Sequence, residues 1–214
     1  MFSRSVEQRS SVSDQRPYAS LLAKGEDRRQ RILAVAQRLL TRNGWRNTTL
    51  GQIAREAGVT PAGLLHHFES KEQLLHAVLE ARDAYDDAHR NTTRDDIIEQ
   101  VGSVAERFER VPDLVGMFVV LLIENLDPDA PLHDRLLHRY RSALEIIAEG
   151  IRRGQRAGRY RTDLDPALKA VEIVAFLNGM ETSWLLDPSI PVTEVFKEYT
   201  QSLALQLTGP GDGH

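Results

Sequence analysis

The sequence contains no cysteine, which excludes disulfides, thiolate metal sites and thiol redox chemistry. Long hydrophobic stretches are also missing, because the longest one, Met117 to Ile123, is far too short to cross a bilayer. The first 22 residues have no apolar core, so we expect no signal peptide. These absences favour a protein that works in the reducing environment of the cytoplasm.

Motifs typical of enzymes are absent as well. There is neither a glycine-rich phosphate loop nor a hydrolase nucleophile elbow. His66 and His67 are adjacent, and neighbouring side chains on a helix diverge by about 100°, so the two cannot easily share a metal ion. His133 and His138 lack the spacing of four residues that helical metal ligands use. We therefore expect no enzyme, no metal site and no cofactor.

Charge is distributed unevenly along the chain. Residues 1–76 carry 12 Lys and Arg against 7 Asp and Glu, a net charge of +5. Residues 77–214 carry 15 against 24, a net charge of −9. A basic end on an acidic body indicates that a polyanion contacts one end only. The excess at the basic end is modest, and chance is the other interpretation.

One stretch of the N-terminal third has dense helix-boundary signals. A hydroxyl of Thr48–Thr49 can cap a short helix over Leu50–Ala57, and Gly58 follows where a helix ends in a left-handed residue. Thr60–Pro61 then begins a second helix, and the capping box Ser70–Gln73 begins a third. Two short helices joined by a glycine turn describe a helix-turn-helix, whose second helix enters the major groove of DNA. An ordinary helical hairpin has the same outline.

This stretch resembles the N-terminal domain of the TetR family of bacterial one-component transcriptional regulators. The resemblance spans roughly residues 28–76 without a gap. The matching residues are Ile32, Ala36, Leu39, Gly44, Thr48, Thr49, Ile53, Ala54, Ala57, Gly58, Val59, Thr60, Leu64, His67, Phe68, Ser70, Lys71, Glu72 and Leu75. Two departures lie in the second helix of the motif. Leu65 stands where the family usually has tyrosine, and Gly63 where it often has threonine.

The resemblance implies a homodimeric repressor that binds a palindromic DNA operator and releases it when a small molecule binds in the helical body. Phosphates would be held by basic side chains and by amides at helix starts. Bases would be read from the Thr60–His67 face, which has no Arg, Lys, Asn or Gln. We therefore expect apolar contact with thymine methyls and indirect readout to contribute more to recognition. The expected DNA contacts are Arg28, Arg46, Thr48, Thr49, Gln52, Thr60, Pro61, Ala62, Gly63, Leu65, His66, His67 and Lys71. The weak base-reading face keeps a second interpretation open, a helical ligand-binding or signalling module with little DNA binding.

The fold class expected is all-α, a three-helix DNA-binding domain followed by a larger helical ligand-binding and dimerisation domain. No strand-period alternation of any length interrupts the helical pattern. The expected divisions are a flexible arm over 1–24, the helix-turn-helix domain over 25–76, the body over 77–208 and a disordered tail over 209–214. Arg4, Arg9, Arg16 and Lys24 of the arm would contact DNA or simply be solvated. The expected helices are 26–43, 50–57, 61–68, 71–91, 94–110, one after Pro112, 131–157, 166–186 and one after Pro191.

A ligand pocket is expected between the helix that begins at Lys71 and the helices of the body, by the same resemblance. The candidate lining residues are Tyr85, His89, Phe108, Met117, Phe118, Leu121, Tyr140, Phe176, Met180 and Trp184. This set is apolar and sparsely charged, which suggests a lipophilic effector. Core packing is the alternative for each residue. Arg135 and Arg139, on the long helix near residue 140, are expected to be solvated.

Dimerisation is expected through the last two helices. Small residues after Pro166 let another helix approach closely, and an apolar stripe follows Pro191. With their two-fold copies, these stripes would form a four-helix bundle. The expected interface residues are Ala167, Ala170, Val171, Val174, Asn178, Val192, Phe196, Tyr199, Leu203 and Leu207.

Overall fold

The computed structural model of the chain describes residues 15–89 and 96–209, without the side chains of residues 15–23, 86 and 89. Within those ranges the chain forms ten α-helices and no strand, which confirms the all-helical expectation. Their bounds are α1 Gln15–Asn47, α2 Leu50–Glu56, α3 Pro61–His67, α4 Lys71–His89, α5 Ile97–Ser103, α6 Glu106–Arg110, α7 Pro112–Glu124, α8 His133–Arg156, α9 Pro166–Leu186 and α10 Val192–Thr208.

Helix α1 starts earlier than its apolar stripe suggested. It begins at Gln15 rather than near residue 26, so part of the expected arm is helical. The sequence there permits this, because Pro17 falls in the first turn, where proline is tolerated, and good helix formers follow it. The regular helix is interrupted at Gly44, as expected, where φ is +73°. Residues 1–14 of the arm and 210–214 of the tail lie outside the described residues.

The single helix expected over residues 94–110 is instead two helices, α5 and α6. Between them, the amides of Val104 and Ala105 donate to carbonyls three residues back, at Val101 and Gly102, instead of four. This tighter turn bends the chain. Gly102 is a weak helix former, which lowers the cost of the break.

Helix α7 lies at the centre of the molecule, as its apolar surface predicted. Met117, Phe118 and Leu121 belong to the same buried core as the helices of the N-terminal unit. Gly116 lets α7 approach α1 closely, since a Cβ there would lie 2.6 Å from Thr41 Cγ2. The Thr41 hydroxyl also donates to the Asp113 carbonyl at 3.1 Å. The division of the chain at residue 76 therefore stays a prediction, and α7 packs across it.

The rest of the body packs around two further cores. One joins α5, α8, α9 and α10, and the other joins α6, α7, α9 and α10. None of the described helices combines the length and apolarity needed to cross a bilayer.

Candidate nucleic-acid interface and internal cavity

Helices α2 and α3 form a helix-turn-helix whose ends are held by local side chains. Thr49 Oγ1 accepts a hydrogen bond from the Gln52 amide at 3.2 Å, and Thr60 Oγ1 accepts one from the Gly63 amide at 3.0 Å. Gly58 has φ of +66°, a left-handed conformation that glycine adopts without steric cost. The caps and the glycine turn predicted from the sequence are confirmed.

Thr48 does not lie on the surface of this unit. Its side chain is fully buried, and its hydroxyl donates to the Gly44 carbonyl at 2.7 Å. The contact fastens the end of α1 to the start of α2. A buried side chain cannot touch DNA, so the expectation that Thr48 contacts DNA is wrong, whereas the adjacent Thr49 is exposed.

The outer face of α3 is largely apolar. Pro61, Ala62 and Leu65 are exposed, and 46% of the Leu65 surface is accessible. His66 is exposed beside them, and Gly63 is half-buried. In a major groove such a face would contact thymine methyl groups more readily than it would hydrogen-bond to base edges.

A basic edge lies beside α3. The pKa of His67 is lowered, first by burial and then by the positive charges of His66, Arg28 and Arg29. Arg28 is exposed, and the Arg29 guanidinium lies 4.6 Å from the centroid of the Phe68 ring. The positive field that disfavours protonation of His67 also attracts phosphate.

Lys71 has an intramolecular partner that sequence reasoning missed. Its ammonium donates to the Trp45 carbonyl at 2.6 Å and lies 3.8 Å from the centroid of the Trp45 ring. Burial lowers the pKa of Lys71. The helix start is capped as predicted, because Ser70 Oγ accepts from the Gln73 amide. A phosphate is thus not needed to explain this lysine, and its DNA contact stays a prediction, as does that of the exposed Arg46.

A second unforeseen contact ties the N-terminal helices α1 to α3, which we call the DNA-facing unit, to the body. Glu124 at the end of α7 accepts a hydrogen bond from the Trp45 amide at 2.6 Å. Its carboxylate also fills the space beside Gly44, where a Cβ would lie 2.6 Å from Glu124 Oε1. Trp45 is therefore held by Glu124 at its amide and by Lys71 at its carbonyl. These partners are distant in sequence, and no local motif marks them.

A cavity of about 780 Å³ lies between helices of the body and opens to solvent at a rim that includes the exposed Glu106 and Arg110. Three of the ten residues expected to line it do so: Tyr85 on α4, Phe118 on α7 and Tyr140 on α8. The side chain of His89 lies outside the described residues. The other six expected residues do not line it and pack within the cores instead: Phe108, Met117, Leu121, Phe176, Met180 and Trp184. Four of the aromatic rings of α6, α9 and α10 contact one another edge to face, which explains their burial: Phe108, Phe176, Trp184 and Phe196.

The cavity is far more charged than the sequence suggested, because five arginines and four carboxylates line it. Arg82 donates to Glu181 Oε1 at 2.8 Å and to the Leu114 carbonyl at 3.0 Å. Arg107 lies 3.6 Å from the same Glu181 oxygen. Thus α4, α6 and α9 meet at one buried carboxylate, and Arg82 also joins α7 to them. The expectation of a sparsely charged lining is wrong.

Two arginines of α8 face this cavity rather than open solvent. Arg139 pairs with Asp83, and Arg135 pairs with the same carboxylate at 3.1 Å. The Arg139 and Arg82 guanidiniums lie 5.1 Å and 4.0 Å from the centroid of the Phe118 ring. Burial, and then the charge of Arg82, lower the pKa of Arg139 to about 10. Arg135 and Arg139 were expected to be solvated, and this is corrected because their partners lie on α4, more than fifty residues away.

Most residues expected in the dimer interface pack inside the same chain. Six of them are buried there: Ala170, Val174, Val192, Phe196, Leu203 and Leu207. Asn178 and Tyr199 are half-buried, and Tyr199 stacks on Phe176. The buried residues cannot also contact a second chain, so this part of the expectation is wrong, whereas the half-buried Asn178 and Tyr199 stay predictions. Only Ala167 and Val171 of the expected set are exposed.

The exposed side of α9 carries a different stripe. Its members recur every three or four residues and are small in the middle and apolar at both ends: Leu168, Val171, Ala175, Gly179, Thr182 and Leu186. A Cβ at Gly179 would meet no atom within 4 Å. We refer to these six residues as the α9 stripe.

Comparison with known proteins places this geometry in a class. A family model described as "Bacterial regulatory proteins, tetR family" matches residues 32–78. The regulator SrpR of Pseudomonas putida is 30% identical over 147 residues, which cover 67% of this chain and 68% of SrpR. Together with the helix-turn-helix, these matches define a DNA-binding transcriptional regulator. The chain belongs to the TetR family, whose members are transcriptional regulators and not enzymes.

Solved structures show the same fold. FadR of Bacillus subtilis, solved with stearoyl-CoA, has a TM-score of 0.71 at 17% identity, covering 83% of this chain and 98% of that one. A protein from Saccharomonospora viridis, solved with choline, has a TM-score of 0.67 at 26% identity, covering 83% and 95%. Among the described residues of this chain, no group of three or more His, Asp or Glu side chains could hold a metal ion.

Proposed function

We propose that the chain is a repressor in the bacterial cytoplasm, which binds a palindromic operator as a homodimer and releases it when a small molecule occupies the internal cavity. The observation that carries this proposal is the course of α4. The helix begins beside the helix-turn-helix, where Lys71 contacts Trp45, and its later residues Arg82 and Tyr85 line the cavity. A ligand that shifts α4 therefore shifts the DNA-facing unit.

The DNA contacts follow from what the N-terminal unit exposes. Helix α3 would enter the major groove with Ala62, Leu65 and His66 towards the bases. Arg28 and Arg46 would hold phosphates, because both are exposed on the N-terminal unit and the charge of Arg28 reaches His67 of α3. The full proposed contact set keeps the expected residues other than Thr48, namely Arg28, Arg46, Thr49, Gln52, Thr60, Pro61, Ala62, Gly63, Leu65, His66, His67 and Lys71.

A homodimer would form through the α9 stripe. Ala175 and Gly179 lie at its middle, where small side chains let two helices approach closely. Leu168 and Leu186, both largely exposed, would lie at the two ends of the contact. Two recognition helices related by a two-fold axis contact both halves of a palindrome, which doubles the contacts of a single chain.

Contacts across the body give effector and operator a physical link. Arg82 joins α4 to the Leu114 carbonyl of α7 and to Glu181 of α9. Glu124, at the other end of α7, holds the Trp45 amide. A ligand changes this equilibrium only through its different affinities for the DNA-binding and released states, and operator must weaken ligand binding by the same factor.

The structural neighbours support a cavity ligand for this chain without choosing its chemistry. One was solved with choline, which is a cation, and the other with stearoyl-CoA, which is anionic. The side chains of this cavity must therefore decide what it binds.

A gel shift tests the DNA-binding part of the proposal. The duplex upstream of the protein's own gene should be retarded, and a shuffled duplex of the same composition should not. Leu65→Glu should abolish the shift, because a carboxylate on α3 would face phosphates and base edges. Leu126→Glu is the matched control, since Leu126 is exposed on the body after α7. Equal retardation of both duplexes, or a Leu65→Glu protein that still shifts, would contradict operator recognition through α3.

The alternative is a ligand-binding or signalling module with little DNA binding. The apolar outer face of α3 favours it, because that face offers few hydrogen bonds to bases. Under this alternative the upstream duplex and the shuffled duplex bind equally weakly, while ligands still enter the cavity.

A further inference from the structure

The backbone of α1 turns sharply at Gly44, between the main part of the helix and the short segment that leads to α2. Gly44 has φ of +73° and ψ of 171°, which are not helical values, although the residues on both sides are helical. Its carbonyl accepts the hydrogen bond from the Thr48 hydroxyl at 2.7 Å. The angle at this bend, which we call the Gly44 kink, therefore sets how α2 and α3 are oriented relative to the rest of α1.

Helix α7 contacts α1 on both sides of the Gly44 kink. Before the kink, the Thr41 hydroxyl donates to the Asp113 carbonyl at 3.1 Å, and Gly116 lies against the Thr41 side chain. After the kink, Glu124 Oε2 accepts a hydrogen bond from the Trp45 amide at 2.6 Å. Because one helix holds both flanks, the position of α7 fixes the angle between them.

The contact at Trp45 combines a close fit with two opposite charges. A Cβ at Gly44 would lie 2.6 Å from Glu124 Oε1, so any larger residue there would push the carboxylate away. Lys71, at the start of α4, donates to the Trp45 carbonyl at 2.6 Å. Burial lowers the pKa of Lys71, and the negative charges of Glu72 and Glu124 oppose this lowering. Hydrogen bonds to charged groups are the strong ones, so Trp45 is held firmly from α7 and from α4.

Glu124 acts on DNA binding through position rather than by touching DNA. It is the last residue of α7, outside α2 and α3, and its carboxylate has the same sign of charge as a phosphate. The same helix carries Phe118 and Leu122, which line the cavity. Glu124 therefore passes the position of a cavity-lining helix to the backbone that leads to α2.

We propose that Glu124 is a positioning residue for operator binding, which holds Trp45 against α7 and so fixes the separation of the two α3 helices in the dimer. The inference rests on the proposed function, because it requires DNA binding by a homodimer. About 10 base pairs make one turn of about 34 Å, so one added base pair moves a half-site by about 3.4 Å and rotates it by about 35°. A dimer with a fixed kink angle accepts only one spacing of its half-sites.

Fluorescence anisotropy tests this with three duplexes: the operator that the gel shift identifies, and versions with one base pair inserted or deleted at the centre of its palindrome. We expect the wild-type chain to bind the natural spacing about tenfold or more tightly than either altered one. Glu124→Ala should reduce this preference at least about threefold, because the Trp45 amide loses its charged acceptor. The preference is a ratio of affinities, so it cancels any general effect of the lost negative charge on DNA binding.

A duplex with a single half-site measures α3 alone. Glu124→Ala should bind it within about threefold of the wild-type affinity, because the outer face of α3 is unchanged. Loss of spacing preference with unchanged half-site binding is a result that a purely structural role of Glu124 would not produce.

Two further variants serve as controls. Glu124→Gln keeps an oxygen that can accept from the Trp45 amide, so it should restore most of the preference for the natural spacing. Glu198 is exposed on α10, and Glu198→Ala makes the same substitution outside α1 and α7, so the preference should not change. Thermal melting checks the fold. If Glu124→Ala does not fold, Glu124→Asp replaces it, because that side chain stays charged but is one methylene shorter.

An unchanged spacing preference in the Glu124→Ala chain would overturn the inference, even if its melting temperature falls. A Glu124→Gln chain that behaves like Glu124→Ala, or an equal loss in Glu198→Ala, would overturn it as well. A wild-type chain that does not retard the upstream duplex contradicts the proposed function itself. Operator binding whose spacing preference ignores Glu124 contradicts this inference alone.

Discussion

The outer face of α3 is apolar although its proposed partner is DNA, whereas the cavity is charged although its ligand was expected to be lipophilic. Helix α3, which would meet a polyanion, exposes Pro61, Ala62 and Leu65. The cavity, whose lining was expected to be apolar, is lined by five arginines and four carboxylates. In the proposed complex, affinity for DNA would therefore come mainly from basic residues beside α3, and a ligand of the cavity would have to match charged side chains of both signs.

The largest effect is expected where the cavity's charges are buried. Arg82 and Glu181 are 2% and 3% exposed, and removing Arg82 takes away the nearer of the two described guanidiniums that neutralise the buried Glu181 carboxylate, leaving Arg107 at 3.6 Å. We expect Arg82→Leu to lower the free energy of unfolding by about 3 to 5 kcal/mol, measured by urea denaturation. The matched control is Arg38→Leu in the DNA-facing unit, since Arg38 and Glu56 form an exposed pair at 3.1 Å with side chains 51% and 38% accessible.

Arg38→Leu should lower the free energy of unfolding by no more than about 1 kcal/mol, because exposed ion pairs are screened by water and salt. The double variant Arg82→Leu with Glu181→Leu should recover part of the loss. Equal losses at Arg82 and Arg38 would mean that the cavity end is as well solvated as the protein surface, and the contrast between the two regions would disappear.

A second test asks whether the α9 stripe forms the dimer that would place two α3 helices on one operator. Ala175→Arg would place a charge in the middle of the α9 stripe, and a charge buried without a partner opposes association. We expect the dissociation constant of the dimer to rise at least about tenfold, measured by sedimentation equilibrium. Ala157→Arg adds the same charge at an exposed alanine after α8 and should leave the dimer intact. An Ala175→Arg chain that sediments as a dimer at micromolar concentration would place the interface elsewhere.

A third test concerns the apolar face of α3. We expect Leu65→Ala to weaken operator binding by about 1 to 2 kcal/mol per half-site, because apolar contact area is lost. Stability should change by no more than about 0.5 kcal/mol, since Leu65 is exposed. Replacing the contacted thymines with uracil should weaken the wild-type protein and leave Leu65→Ala unaffected. Fluorescence anisotropy measures both, and an operator that tolerates uracil everywhere would show that α3 does not read methyl groups.

The smallest effect is expected at the basic edge. Arg46 is exposed, and Arg46→Ala should remove one phosphate contact per subunit. The slope of log affinity against log salt should then flatten by about 0.9 per contact, and by roughly 2 for a dimer. Melting temperature should not change. An unchanged slope would show that Arg46 does not contact phosphate.

Lys71→Ala, compared with Arg46→Ala, separates a structural role of Lys71 from a contact with phosphate. It removes the hydrogen bond to Trp45, so it should lower the free energy of unfolding by about 0.5 to 1.5 kcal/mol whether or not DNA is contacted. A flattened salt slope in addition would assign Lys71 a phosphate as well. Loss of stability alone would assign it a structural role.

The two regions also differ in how far the sequence predicts them. The caps at Thr49 and Thr60 and the turn at Gly58 were predicted because each depends on residues within four positions. The pairs Arg82 with Glu181 and Trp45 with Glu124 were missed, since 99 and 79 positions separate their members. No local spacing marks a partner at that distance.

Residues that pack inside the chain were assigned to a dimer interface for a related reason. Helix α9 is apolar on more than one face, so its periodicity does not distinguish the face that packs inside the chain from the one that stays exposed. Ala170 and Val174 belong to the first face and Ala175 and Gly179 to the second. Only the position of the neighbouring helices decides between them.

The proposed coupling of the cavity to the outer face of α3 through α4 is tested most directly by measuring how ligand affects operator binding and how operator affects ligand binding. Fluorescence anisotropy gives operator affinity with and without a small molecule that binds in the cavity, and calorimetry gives the affinity for that molecule with and without operator. We predict that each weakens the other by the same factor, in the range of about 5 to 150 that is typical of allosteric coupling. Affinities that do not change in either experiment would contradict the proposal that a ligand in the cavity controls the affinity for DNA.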